Sequence, residues 1–179
     1  KFSGRQKETH QINAACEAYR DEVSSEAAQY DMSDYVDLIL AVMMQESSGQ
    51  GTDPMQSSEG AYNTRYPQQP NGITDPSYSI SCGIQELKYA LEKAVCTGPT
   101  DLSKIRLALQ AYNFGADSYF AYLEENGQTV WTAQSAQAFA QMASGGTQRD
   151  EDDPPFMILP VHGTMVTNTI RIMFCAITT

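Results

Sequence analysis

The residue whose setting most invites chemistry is Glu46, in the run Val42-Met43-Met44-Gln45-Glu46-Ser47-Ser48-Gly49. It is a carboxyl group in the last turn of an otherwise apolar segment, just ahead of a glycine. If that segment is helical, the negative end of the helix dipole and the apolar wall of Val42, Met43 and Met44 both favour the protonated acid. A carboxylic acid still neutral at about pH 6–7 can give its proton to the leaving oxygen of a glycosidic bond. A lone glutamate ending a helix is usually just a surface residue, so this reading needs partners. Tyr62, Tyr66 and Tyr78 could stack on sugar faces, although rings in a polar loop more often anchor it to the core. The cysteines, Cys16, Cys82, Cys96 and Cys175, form no C-x-x-C pair, and His10 and His162 are far apart, so no zinc site and no cofactor is expected.

The elements that must position Glu46 follow from periodicity. Ile12, Cys16, Tyr19, Val23, Ala27 and Tyr30 recur at helical steps and predict an amphipathic helix over about residues 7–30. Ser33 is a good N-cap and Asp34 and Asp37 suit a helix N-terminus; Val36, Ile39, Leu40 and Met43 then form a stripe that leads to Glu46 and stops at Gly49. Residues 49–76 are turn chemistry, with Asp53-Pro54, Asn71-Gly72 and Asp75-Pro76, and read as a long structured loop. Ile80, Ile84, Leu87 and Leu91 predict a further helix with Gly83 inside it, a sign of close packing. Another runs from Thr100 or Asp101 through Leu102, Ile105, Leu109 and Tyr112 to Gly115. A short helix through Tyr119, Tyr122 and Leu123 closes at Asn126-Gly127, and one capped by Thr132 passes Phe139 to Met142. On one helix Cys82 and Cys96 would stand roughly 20 Å apart, so any bridge must use Cys16 or Cys175, and buried thiols are the simpler expectation. After Gly145-Gly146 come the cluster Arg149-Asp150-Glu151-Asp152-Asp153, Pro154-Pro155 and an apolar tail without a predicted structure. The cluster lacks the spaced ligands of a calcium loop and reads as a solvated linker.

Composition sets the outer bounds. The chain has 179 residues, 41% of them hydrophobic and 18% charged, which suits one folded domain with a packed core. A formal net charge of -11 opposes binding to another polyanion, so nucleic acid is not an expected partner. No stretch has the ~18–20 uninterrupted apolar residues of a membrane helix. The start of the chain does not read as a signal peptide, which leaves the compartment open.

Taken together, Gln45-Glu46-Ser47, Pro54-Met55-Gln56 and Ala111-Tyr112-Asn113-Phe114-Gly115 resemble, in order and spacing, the three signatures of goose-type lysozymes and soluble lytic transglycosylases. The stretch from Asp53 to Asn63, with Asn71-Gly72-Ile73-Thr74-Asp75-Pro76, is similar to one branch, the CwlT-like lysozyme domain of secreted cell-wall hydrolases in Gram-positive bacteria and their conjugative elements. The resemblance covers roughly residues 36–142. It implies an all-α lysozyme-like domain, over residues 1–145, whose long loop lines a glycan cleft; residues 146–179 fall outside the usual family ending. Cleavage of the β-1,4 bond between N-acetylmuramic acid and N-acetylglucosamine is the implied activity. By the same resemblance Glu46 is the general acid, Ser47 and Gln56 bond the glycan or the acid, Met55 lines the cleft, and Tyr112 and Asn113 contact the muramyl sugar.

Two points depart from the family pattern. The turn reads Asp53-Pro54 where the wider superfamily has Gly-Leu, and a second Ala-Tyr-Asn at Ala61-Tyr62-Asn63 lies in the loop rather than at a helix end. Hydrolysis with inversion needs a base about 6.5–9.5 Å from the acid. Glu59, close after the Met55-Gln56 turn where related goose-type enzymes carry an acidic residue, is the candidate; Asp53 and Asp75 are alternatives that could simply cap turns. Lytic transglycosylases need no such base, because the muramyl C6 hydroxyl attacks and leaves a 1,6-anhydro product, so both outcomes stay open. A reading of another class is a non-catalytic glycan-binding or scaffolding module, as in a conjugation or secretion machine, but such a module would not need the acid. The expected partner is a peptidoglycan strand, and the expected place is outside the cell or in the wall of a Gram-positive bacterium. CwlT-like proteins often add a peptidase domain, which does not fit after residue 145, so one domain of a larger protein or a stand-alone relative is expected.

Overall fold

In a computed structural model, the chain is described at residues 12–130 and at 132, 134, 135, 138, 139 and 142. Six helices are delimited there, with no strand among the described residues: α1 (Ala14–Glu17), α2 (Arg20–Gln29), α3 (Val36–Ser47), α4 (Pro76–Lys93), α5 (Leu102–Phe114) and α6 (Ala116–Glu125). No helix among them is long and apolar enough to cross a membrane.

The central element is α3. Leu38, Ile39, Leu40, Ala41, Val42 and Met43 are buried in succession, so the helix is apolar all round rather than striped, as a helix surrounded by others must be. Its start differs from the sequence expectation. Ser33 does not cap α3; it opens a 3-10 turn, Ser33–Tyr35, and Tyr35 precedes α3 without a side-chain cap. At the other end Ser48 takes a left-handed conformation (φ 56°) and Gly49 follows at φ 75°. A Cβ on Gly49 would lie 2.9 Å from the backbone of Ala15 and Cys16, so this glycine lets α1 cross directly over the end of α3.

That crossing explains why the single helix predicted over 7–30 is two. Asn13 caps α1 by accepting from Cys16 N at 2.8 Å, and its Nδ2 donates to Ser48 O at 3.1 Å. The chain breaks at Ala18 and Tyr19 before α2 begins, with residues 7–11 outside the described set. Elsewhere the periodicity is followed closely. Asp75 caps α4, with Pro76 at its first position, and Ile80, Ile84, Leu87 and Leu91 are buried. Asp101 caps α5 and Gly115 ends it, while α6 closes at Asn126. Thr132 Oγ1 accepts from Ser135 N at 3.1 Å, and Phe139 packs edge-on to Phe114 and Tyr119 with centroids 5.3 and 5.1 Å away. Cys96 lies beyond the end of α4, and Cys16, Cys82 and Cys96 are free thiols. The cluster at 149–153, the tail, His10, His162 and Cys175 lie outside the described residues.

Candidate active site

The end of α3, the polar loop after it, the middle of α4 and the α5–α6 junction enclose a cleft of about 630 Å³, a size suited to a small organic ligand. Glu46 and Gln45 come from α3, Gln56, Glu59 and Tyr62 from the loop, and Glu86 and Tyr89 from α4. Tyr112, Asn113, Phe114 and Gly115 close the opposite side, with Asp117 at the start of α6.

What shapes the cleft is a buried polar frame. Asp53 is 1% exposed and holds the loop together: it accepts from Ser57 N (3.0 Å), Ser58 N (3.1 Å), Ser79 Oγ (2.6 Å) and the Ser58 hydroxyl. Ser58 Oγ in turn accepts from Ile73 N at 2.9 Å, and Ser57 Oγ donates to Ser79 O at 2.9 Å. Asn63 ties the far part, donating to Ser58 O at 2.7 Å and accepting from Tyr66 N at 3.0 Å. A loop with so little regular backbone pairing must satisfy its buried groups by side chains, and serine and asparagine do this here. The Asp53-Pro54 turn that departs from the family pattern is therefore the anchor of the loop.

Burial first, and the nearby Asp53 carboxylate second, push the Glu46 carboxyl from 4.5 up to about 8. Below that pH the group is a neutral acid opening on the cleft. Glu86 is also raised to about 8, by burial first and then by Asp53 and Glu46. Tyr112 is driven well above its ordinary value by burial and by Glu86, Glu46 and Asp53; its hydroxyl donates to Met55 O at 3.0 Å, joining α5 to the loop.

The remaining candidates divide by position. Gln56, at φ 49°, lines the cleft and donates to Asp53 O (3.0 Å) and Asn71 Oδ1 (2.9 Å). Asn113 lines it too, and Glu59 does so as an exposed side chain. Ser47 and Met55 are placed differently from expectation, under the cleft rather than on its wall. Ser47 is 5% exposed, donates to Pro54 O at 2.7 Å and accepts from Gly49 N at 3.0 Å, which fixes the chain reversal after Glu46. Met55 is fully buried against Gly83, where a Cβ would come within 2.5 Å of its own. Asp75 serves as the α4 cap, accepting from Ser77 N at 3.1 Å. Tyr66 and Tyr78 pack on each other at 5.5 Å with Arg65 over Tyr78, as loop anchors, while Tyr62 reaches the cleft.

Glu86 is the site residue that sequence reasoning missed. Its signal lay in the spacing: Gly83, Glu86 and Tyr89 follow at three-residue steps on one helix face, beginning at the glycine that admits Met55.

Residues 14–158 match the family model described as Lysozyme-like. The chain belongs to the lysozyme-like family. Within it, the chain is 38% identical over 120 residues to the bifunctional muramidase/DL-endopeptidase CwlT of Bacillus subtilis, an alignment covering 67% of this chain and 32% of CwlT. It is 40% identical over 115 residues to the uncharacterized membrane protein YocA of the same organism, covering 62% and 45%. In three dimensions this lysozyme-like chain is similar to the crystal structure of an NLP/P60-family, lipoprotein-like protein of Staphylococcus aureus. The TM-score is 0.65 at 26% identity, covering 91% of this chain and 54% of that one. The chain thus spans about a third to a half of the length of these curated relatives.

Proposed function

We propose that the chain is a peptidoglycan glycosidase, an N-acetylmuramidase that cleaves the β-1,4 bond between N-acetylmuramic acid and N-acetylglucosamine with Glu46 as general acid. The observation that carries this reading is the Glu46 carboxyl itself, opening on a ligand-sized cleft and held protonated up to about pH 8 by burial and Asp53. A group of that kind protonates the departing sugar oxygen as the glycosidic bond breaks, and the oxocarbenium-like sugar left behind forms beside the other carboxyl groups of the cleft. Tyr112, Asn113 and Gln56 lie where a glycan strand would pass, and membership of the lysozyme-like family with CwlT as a relative favours peptidoglycan as that strand. The same reading puts the protein outside the cell or in a cell wall, that of a Gram-positive bacterium by its relatives.

Glu59 is the base of this proposal. It is exposed on the cleft wall, where it reaches water, whereas Asp53 has its oxygens committed to the loop and Asp75 caps α4. Transglycosylation is the second reading, favoured by the burial that keeps Glu86, the other carboxyl group deep in the cleft, protonated and so unable to activate water at neutral pH.

Digestion of purified peptidoglycan by the wild type and Glu46→Gln, with mass spectrometry of the fragments, tests both. Reducing-end muramyl products that the variant does not make support the muramidase, and 1,6-anhydro products support the transglycosylase. If the wild type releases nothing from several wall types, the enzymatic proposal fails and the glycan-binding module replaces it.

A further inference from the structure

On the α4 wall of the cleft stands a carboxyl group that the mechanism above does not use. Glu86 Oε1 is buried and has no hydrogen-bond partner. That oxygen is tolerable while the carboxyl group is neutral, with its hydrogen on the other oxygen, the one left to meet a ligand.

The loop is cut to fit this group. A Cβ built on Gly60 would lie 1.3 Å from Glu86 Oε1 and 2.4 Å from its Cδ, so the carboxyl sits in the notch that the missing side chain leaves. Gly60 does not have the left-handed φ that Gly49, Gly51, Gly115 and Gly127 have, so space rather than backbone freedom calls for glycine there. Gly60, Glu86, Ala61, Tyr62 and Tyr89 line one stretch of the cleft.

Burial, with Asp53 and Glu46 close by, keeps Glu86 in its acid form up to about pH 8. A neutral carboxyl group has two different oxygens. The carbonyl oxygen tolerates a dry contact with Gly60 far better than a carboxylate oxygen would, and the hydroxyl is a strong donor in search of an acceptor. A glycan of N-acetylated sugars offers acetamido carbonyl and hydroxyl oxygens, and among the described residues lining the cleft there is no lysine, arginine or histidine to engage Glu86 instead.

We propose that Glu86 is a substrate-contacting residue: seated in the Gly60 notch, it donates its carboxyl hydrogen to an acceptor oxygen of the glycan bound across the Glu46 cleft. This rests on the glycosidase reading and adds to it a second carboxylic acid that binds the strand without transferring a proton to the leaving group.

The test is calorimetric binding at pH 6 of the tetrasaccharide of alternating N-acetylglucosamine and N-acetylmuramic acid to the whole chain carrying Glu46→Gln, which prevents turnover. Adding Glu86→Leu should weaken binding roughly tenfold, the scale of one lost hydrogen bond, and Glu86→Gln, which keeps a donor, should stay within about twofold of the parent. Gly60→Ala, which leaves Glu86 in the sequence but fills its notch, should weaken binding like the leucine variant. Thermal unfolding guards the result, because leucine in place of a buried carboxyl should not lower the midpoint. A folded leucine variant that binds as tightly as the parent overturns the role of Glu86 and leaves the glycosidase reading standing. A parent that binds no tetrasaccharide overturns both.

Discussion

At the scale of the residue, the account turns on a carboxyl group kept neutral where an ordinary one would be charged. Replacing Glu46 by Gln keeps the shape and removes the proton, so release of fragments from peptidoglycan should fall roughly 10²–10⁴-fold, as measured by initial rates with matched protein concentrations. The raised carboxyl group of Glu46 was legible in the sequence because the helical run before it, Val42, Met43 and Met44, is apolar, which is the desolvation argument in one dimension. The part Asp53 plays was not, because it depends on the loop folding back to place that carboxylate near the acid. Ser47 and Met55 show the same limit from the other side. Both sit beside cleft residues in sequence, yet both side chains are buried beneath the cleft, which only the folding of the loop onto α3 and α4 decides.

At the scale of the element, α4 and the loop form one unit through Gly83 and Asp53. Gly83→Ala would drive a Cβ to 2.5 Å from Met55 Cβ, a contact that no rotamer change relieves. Such overpacking should cost about 1–3 kcal/mol in denaturant unfolding. Asp53→Ala removes the acceptor of Ser57 N, Ser58 N and Ser79 Oγ and should cost about 2–3 kcal/mol, with amide exchange rising first in the loop. The helices were legible where an apolar period runs without interruption, as from Ile80 to Leu91 in α4 or Leu102 to Tyr112 in α5. They were misjudged where a long-range contact cut in: the bond from Asn13 to Ser48 O pulls α1 over α3 and splits a helix whose period alone runs on.

At the scale of the whole molecule, the raised carboxyl groups tie stability to pH. Glu46 and Glu86 bind a proton in the fold up to about pH 8, whereas in the unfolded chain each loses it near 4.5. Between those values the folded state holds more protons, so stability is full below about pH 4.5 and is lost as pH rises through 8. The unfolding midpoint should thus fall from pH 5 to pH 8.5, and the double variant Glu46→Gln, Glu86→Gln should flatten that decline and be the more stable protein at pH 8.5. The net charge of -11 acts on a longer range. It should keep the protein from adhering to anionic wall polymers, so adsorption to walls ought to rise, not fall, as salt is added.

The pH dependence of fragment release from purified peptidoglycan tests the central claim most directly, since it reads the protonation of Glu46 while the enzyme works. A general acid raised to about 8 predicts an alkaline limb centred near that pH, with the rate falling about tenfold per unit beyond it, and no such limb in the residual activity of Glu46→Gln. A limb centred near 4.5, where an ordinary glutamate titrates, or a variant as active as the wild type, would contradict the assignment.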